Sequence, residues 1–341
     1  MITETNTVRP CDVKKGFILK MKKTQRTENP YEYTDTNKRY YTYDYYLRKT
    51  FGTKVAKIPL DAGFTCPNID GRCSVGGCIY CSGRGSGDFA ESALLPIEEQ
   101  YRITREKLSS KWSTGKCIPY FQAHTNTYAP IEKLRELFER AIKLDGTVGL
   151  NIATRADCLS AETCEYLADI AERIVLTVEL GLQTVHDHVA DLINRGHSFA
   201  DFVAGYERLK KASKKINVCV HIIFGLPTES REMMLETVRR VAEFRPEQVK
   251  IHLLHVLRGT KMAEIYERGE YIPLEKDEYV ALVADAIELL PPETVVARVT
   301  GDGMASELLA PEWSRKKVSV INDIDKLLYE RGSWQGKSFR M

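Results

Sequence analysis

At 341 residues the chain is long enough for one large α/β domain or two ordinary ones, and 43% hydrophobic with 28% charged residues excludes a disordered or fibrous protein. A formal net charge of +2 excludes a strongly basic field over the whole protein, so any nucleic-acid contact must come from a local patch. There is no apolar run of about 18 residues or more. Residues 1–15 lack the apolar segment of a signal peptide, so a cytoplasmic protein with no membrane contact is expected.

Residues 1–30 read as a basic, weakly ordered extension carrying Lys14, Lys15, Lys20, Lys22, Lys23 and Arg26. A tyrosine-dense stretch follows, with Tyr31, Tyr33, Tyr40, Tyr41, Tyr43, Tyr45 and Tyr46. Two readings stand: stackable aromatics beside basic groups suit RNA, or a solvated arm leads into an amphipathic helix whose tyrosines pack on the domain. Beyond it, Val- and Ile-rich runs nearly continuous in apolarity predict buried strands at Lys54–Asp61, Cys117–His124, Thr147–Arg155, Ile174–Gln183, Ile216–Gly225 and Gln248–Leu257. Helical patterns fall between them at Pro96–Trp112, Pro130–Leu144, Ser160–Ala171 (with Ser160 as N-cap), Ser198–Lys211 and Ser230–Phe244. A seventh strand at Thr294–Thr300 and a helix at Lys317–Arg331 would close the sheet.

Strand–helix alternation implies right-handed βαβ units and a parallel sheet. The expected fold is α/β, a partial (β/α)6 TIM-type barrel over residues 31–305, with an N-terminal extension (1–30) and a C-terminal helical decoration (306–341) packing on the barrel. A flat doubly wound sheet fits the same spacing.

Nine cysteines are present, and Cys66, Cys73, Cys78 and Cys81 fall within sixteen positions. That clustering points to metal rather than to a disulfide framework. Cys78 and Cys81 form a C-x-x-C pair after Gly76 and Gly77, which free the chain for a tight turn. Four thiolates would close a cluster or a zinc site; three would leave one iron open. Spacing alone leaves iron–sulfur cluster, structural zinc and free thiols open.

The loop resembles that of elongator-type radical S-adenosylmethionine (SAM) enzymes: Cys66, eleven residues, Cys78, two residues, Cys81. The wider string is similar to the YhcC/YtqA-like family through Lys57-Ile-Pro-Leu-Asp-Ala-Gly-Phe-Thr-Cys-Pro-Asn68, Tyr120–Pro130, Glu179-Leu-Gly-Leu-Gln183, Asn194-Arg-Gly-His197 and His221–Pro227. The resemblance implies a [4Fe–4S] cluster on Cys66, Cys78 and Cys81, with SAM chelating the fourth iron and Cys73 a bystander. It implies Tyr80 near the adenine, and Glu179 and Gln183 at the end of the fourth strand on ribose hydroxyls. Arg195 would hold the SAM carboxylate, and Ile223, Gly225 and Leu226 would edge the adenine. The bland alternatives are a barrel-interior Glu179 held by Lys or Arg, and a surface Arg195 at a helix end.

Gln122, at the second strand's end with His124, joins the cofactor-binding set. His252 and His255 are three apart on one expected strand, so they should face opposite sides. Arg298, Thr300 and Asp302 would shape the substrate pocket. The resemblance further implies one-electron cleavage of SAM to a 5′-deoxyadenosyl radical, with flavodoxin or ferredoxin as reductant. It implies tRNA as substrate, the wobble-uridine carboxymethylaminomethyl group becoming aminomethyl. Acetyl transfer is not expected, since roughly 40 residues follow Asp302. The rivals are a radical SAM enzyme of a small metabolite or protein side chain, and a non-enzymatic zinc-binding module.

Overall fold

The strands form where apolar and β-branched residues recur at alternate positions, with chemistry-bearing residues between them. In chain order the elements are α1 (Tyr43–Phe51), β1 (Ala56–Leu60), α2 (Ile97–Ser109), β2 (Cys117–Phe121), α3 (Ile131–Ile142), β3 (Gly149–Thr154), α4 (Ala161–Arg173) and β4 (Val175–Gln183). Then come α5 (Asp187–Leu192), α6 (Phe199–Ala212), β5 (Asn217–Phe224), α7 (Arg231–Glu243) and β6 (Gln248–Leu253). The remainder holds β7 (Val256–Leu257), α8 (Lys261–Glu267), α9 (Lys276–Leu289), β8 (Val295–Arg298), β9 (Leu308–Ala310) and α10 (Lys317–Glu330). This computed structural model describes residues 29–85, 87, 89–109, 115–301 and 303–340; the basic residues from Lys14 to Arg26, and Asp302, lie outside the described residues.

Seven strands make one parallel sheet in the order β1-β2-β3-β4-β5-β6-β8, curved into a half-barrel with helices around it. Six of the strands are those expected in the barrel, and the seventh, expected at Thr294–Thr300, is β8 at Val295–Arg298. The seventh extends the sheet beside β6 and does not close it onto β1. Its outer edge is met by the tyrosine-rich segment instead: Val296 N donates to Tyr41 O at 2.8 Å, and Thr42 bridges to Val296.

Local signals hold the helices in place. The Ser160 hydroxyl caps α4 by accepting from Thr163 N at 3.1 Å. Ser198 and Asp201 form a capping box on α6. The expected sixth run, Gln248–Leu257, is two pieces: β6 stops at Leu253, and β7 pairs antiparallel with β9. No helix among the described residues is long and apolar enough to cross a membrane.

The two faces of the sheet differ in kind. On β4, Leu176, Val178, Leu180 and Leu182 are at most 1% exposed and pack in the main apolar core. Thr177, Glu179, Gly181 and Gln183 alternate with them and face the barrel interior. The same alternation turns Lys57, Tyr120, Asn151, His221 and Lys250 inward. Both faces are buried, as expected, but the inner one is polar.

Candidate active site

The barrel encloses a cavity of about 870 Å³, near the upper end of the range for ligand pockets. Cys66, Cys78, Tyr80 and Cys81 line it from the loop after β1, Gln122, Gln183 and Ile223 line it from later strand ends, and Arg195 from the connection between α5 and α6. The loop is wound tightly: Cys66 O accepts from Ile69 N at 2.8 Å, and Cys81 N donates to Cys78 O at 3.0 Å. Gly76 and Gly77 take φ of +79° and +74°, the freedom expected of them.

Among the described residues only these three cysteines line the cavity. Cys73 points elsewhere, into a second cavity with Asp157 and Cys158, its Sγ 3.8 Å from Asp157 Oδ2. Four thiols therefore do not converge, which removes a four-cysteine zinc site. A hydrogen bond from Cys81, against the cost of burial and then aided by the Arg195 charge, holds the Cys78 thiol below its usual range. Cys81 is pushed up by the same hydrogen bond and by burial, so the two thiols titrate as a coupled pair.

A lock from a distant segment fixes this loop. Asn68 Nδ2 donates to the carbonyls of Asn194 and Arg195, the latter at 2.9 Å. In return Asn194 Nδ2 donates to Gly77 O at 2.7 Å and Val75 O at 3.1 Å. Arg155 Nη1 adds a bond to Arg195 O at 2.8 Å, while its other edge pairs with Asp157 at 2.8 Å. Gly196 sits at φ +71°, and a Cβ there would meet Asn68 Oδ1 at 2.0 Å. Gly196→Ala is expected to lower stability by about 1–3 kcal/mol. It should also reduce retained iron while far-UV circular dichroism stays native; full iron retention would count against the lock.

The remaining expected residues separate into three groups. Arg195 is 5% exposed, donates through Nη2 to Gly181 O and leaves Nε without a partner, so it is no surface arginine. Gln183 Oε1 is likewise buried without a partner. These orphaned groups face the same cavity as the thiols, and the thiol donor set suits iron–sulfur chemistry; together they fit a cluster and a polar cofactor. Gly225 and Leu226 do not line the cavity. Gly225 N donates to Met234 Sδ at 3.1 Å, its O accepts from Tyr271 at 2.6 Å, and Leu226 is buried in an apolar cluster with Ile79 and Ile223. Only Ile223 of that trio reaches the cavity.

Glu179 is four residues short of the β4 end, so its expected place at the strand end is corrected. Its side chain has no exposure. Lys57 and Lys250 donate to its two oxygens; Asn151 Nδ2 adds a bond at 2.7 Å, and His221 Nε2 lies 3.0 Å away. With its acceptor sites taken, it is a barrel-interior carboxylate and not a ready ribose ligand. Burial opposes its charge, but Lys250, Lys57 and His221 outweigh that and hold the carboxyl well below its usual range.

Burial, then the Lys250 charge, pushes His221 down to about 4. A depressed folded value means stability present above the unfolded value near 6.5 and lost as pH falls toward 4. The loss is about 3 kcal/mol between those limits. Urea unfolding at pH 7 and pH 4.5 should show a fall for wild type that is smaller by about 3 kcal/mol for His221→Asn, the remainder coming from His197, His252 and His124, which are also held down.

His252 and His255 both line the cavity, against the expectation that they face opposite sides. The two-residue period fails because β6 ends at Leu253 before His255 is reached. His124, Arg298 and Thr300 also line it.

The family model described as Radical SAM superfamily matches residues 68–241, and one described as Radical_SAM C-terminal domain matches 246–330. Over 312 residues the chain is 50% identical to YtqA of Bacillus subtilis (strain 168), covering 92% of this chain and 96% of that one. The chain belongs to the radical SAM superfamily, in its YhcC/YtqA-like branch.

As a radical SAM enzyme it uses a [4Fe–4S] cluster and SAM, which replaces the zinc-module alternative. This radical SAM chain is also 31% identical over 196 residues to a tRNA uridine(34) acetyltransferase of Methanocaldococcus jannaschii, covering 56% of this chain and 34% of that protein. Among solved structures, archaeal Methanocaldococcus infernus Elp3 shares the fold, with TM-score 0.63 and 21% identity, covering 82% of this chain and 64% of that one. Asn68, Arg155 and Asn194 were not singled out from the sequence. The quoted strings containing Asn68 and Asn194 were the available signal.

Proposed function

We propose that this enzyme modifies tRNA at the wobble uridine, converting a carboxymethylaminomethyl group on carbon 5 to aminomethyl, with the carboxymethyl unit leaving as glyoxylate, water supplying its aldehyde oxygen and SAM, cleaved to methionine and 5′-deoxyadenosine, as the oxidant. The observation that carries the reading is kinship over 196 residues with a tRNA uridine(34) acetyltransferase. Support comes from the tyrosine-rich segment beside the cavity. Tyr33 and Tyr41 stack at 5.1 Å, Tyr43 and Tyr46 at 6.0 Å, and Tyr43 itself lines the cavity. Such faces suit unstacked bases.

Cys66, Cys78 and Cys81 would hold the cluster, while Gln183 and Arg195, with their unpartnered atoms, would orient SAM. When bound and reduced, these cofactors would supply a carbon radical able to take hydrogen from a C–H bond of the substituent. Ile79, Ile223 and Leu254, buried in one apolar cluster, keep water from the reacting centre. An external one-electron donor of the flavodoxin or ferredoxin class completes the system.

The test is purified, reconstituted and reduced enzyme with tRNA carrying the carboxymethylaminomethyl group, followed by mass analysis of nucleosides. Aminomethyluridine should appear with wild type and not with Cys78→Ala. Unchanged nucleosides while SAM is cleaved would overturn the tRNA reading.

A further inference from the structure

The inner face of the barrel carries more positive than negative charge at its floor. Lys57 on β1 and Lys250 on β6 flank one carboxylate, Glu179 on β4. His221 beside them is neutral at pH 7, its value pushed down to about 4. Two ammonium groups thus face one carboxylate in a buried place, where an unbalanced charge is costly. Glu179 is fully covered by its partners, whereas the Lys57 and Lys250 side chains keep 20% and 9% exposure toward the cavity. Lys57 Nζ also lies 3.6 Å from the centre of the Tyr120 ring, a face that favours a cation.

Burial, against the pull of Glu179 and with the Lys250 charge, lowers the Lys57 ammonium from its usual range, so the second positive charge is held weakly until an anion joins it. Glu179, Cys219 and His221 lie close enough together to suggest a metal site. The two lysines repel a cation there, and burial followed by the Glu179 charge pushes the Cys219 thiol up to about 12. The floor suits an anion. Glu179 lies four residues below Gln183 on one strand, roughly 13 Å at about 3.3 Å per residue, so this place is separate from the cluster loop at the mouth.

We infer that Lys57 and Lys250 form a carboxylate-binding floor, which takes the acidic end of the substrate's substituent while Glu179 fixes the two ammonium groups in position. The assignment of that acid to a wobble-uridine substituent rests on the reading above; the floor itself rests on the charge count. An acid seated there neutralises the second ammonium, and the substituent then runs from the floor toward the mouth. The floor distinguishes a substituent that bears the acid from one that has lost it, so it favours substrate over product.

Anticodon stem-loops with either carboxymethylaminomethyl- or aminomethyluridine at the wobble position provide the probes. Binding is measured by fluorescence anisotropy on cluster-loaded enzyme with SAM and no reductant. Wild type should bind the acid-bearing loop at least about tenfold more tightly, equal to about 1.4 kcal/mol. Lys250→Met and Lys57→Met should each lose that preference while binding the aminomethyl loop as wild type does; Lys250→Arg should keep part of it. If both loops bind wild type equally, the floor is overturned and the tRNA reading stands.

If neither loop binds, the tRNA reading falls, and thermal unfolding in acetate against chloride at equal ionic strength decides the floor alone. The carboxylate-binding floor requires acetate to raise the wild-type midpoint and not that of Lys250→Met or Lys57→Met. Equal responses overturn it.

Discussion

Alanine at any one of Cys66, Cys78 or Cys81 is expected to abolish the iron–sulfur cluster, whereas Cys73→Ala leaves it intact. Three thiols line one cavity, and the fourth cysteine of the loop lies in another, beside Asp157. The comparison of the four variants therefore reads geometry, not cysteine count. Protein purified without oxygen should carry about four irons per chain, and so should Cys73→Ala. The reduced samples should give a paramagnetic resonance signal that SAM perturbs. The three other variants should lose iron, signal and SAM cleavage together. A Cys73→Ala variant that loses iron as the others do would show that the fourth thiol belongs to the site.

Removing Glu179 is the largest stability change expected from a single substitution in the barrel. Glu179→Leu leaves Lys57 and Lys250 facing each other with no carboxylate between them. Breaking a buried ion pair by deleting one partner costs about 3–5 kcal/mol. Glu179→Gln keeps an acceptor for Asn151 but not the charge, so it should lie between that variant and wild type. The triple change Lys57→Met, Glu179→Leu, Lys250→Met should recover most of the loss, since apolar groups of similar size replace buried ion clusters at little cost. Urea unfolding of the set measures the coupling directly. If the triple variant is as unstable as Glu179→Leu, packing and not charge sets the penalty.

Strand positions were legible because parallel strands buried on both faces leave runs such as Val-Leu-Thr-Val-Glu-Leu-Gly-Leu-Gln183. The polar residues inside those runs are the cavity wall, and their alternation with the apolar ones was the signal for it. Helix α9 was not legible. It lies against both α7 and α10, and Tyr279, Val280, Leu282, Val283, Ala284, Ala286 and Ile287 are all buried, so its polar stripe, Glu278, Asp285 and Glu288, is narrow and marks the period weakly. Helices α5 and α8, at six and seven residues, are too short to show a period. The thiol triad followed from spacing plus resemblance, because ligands within one loop are close in sequence. The lysines around Glu179 come from β1 and β6, and only barrel curvature brings them together. The same holds for the pairing of Asn68 with Asn194 and Arg195.

That last pairing bears on how the protein matures. Asn68 and Asn194 are 126 positions apart, and the loop holding the three thiols takes its final shape only when both are present. At a synthesis rate of about 5–20 residues per second, roughly 6–25 s separate the two on the ribosome. During that interval the thiols are tethered to one strand and lack their clamp. Iron and sulfide delivered then would meet an unclamped loop, so insertion into the cluster loop is expected to follow formation of the barrel.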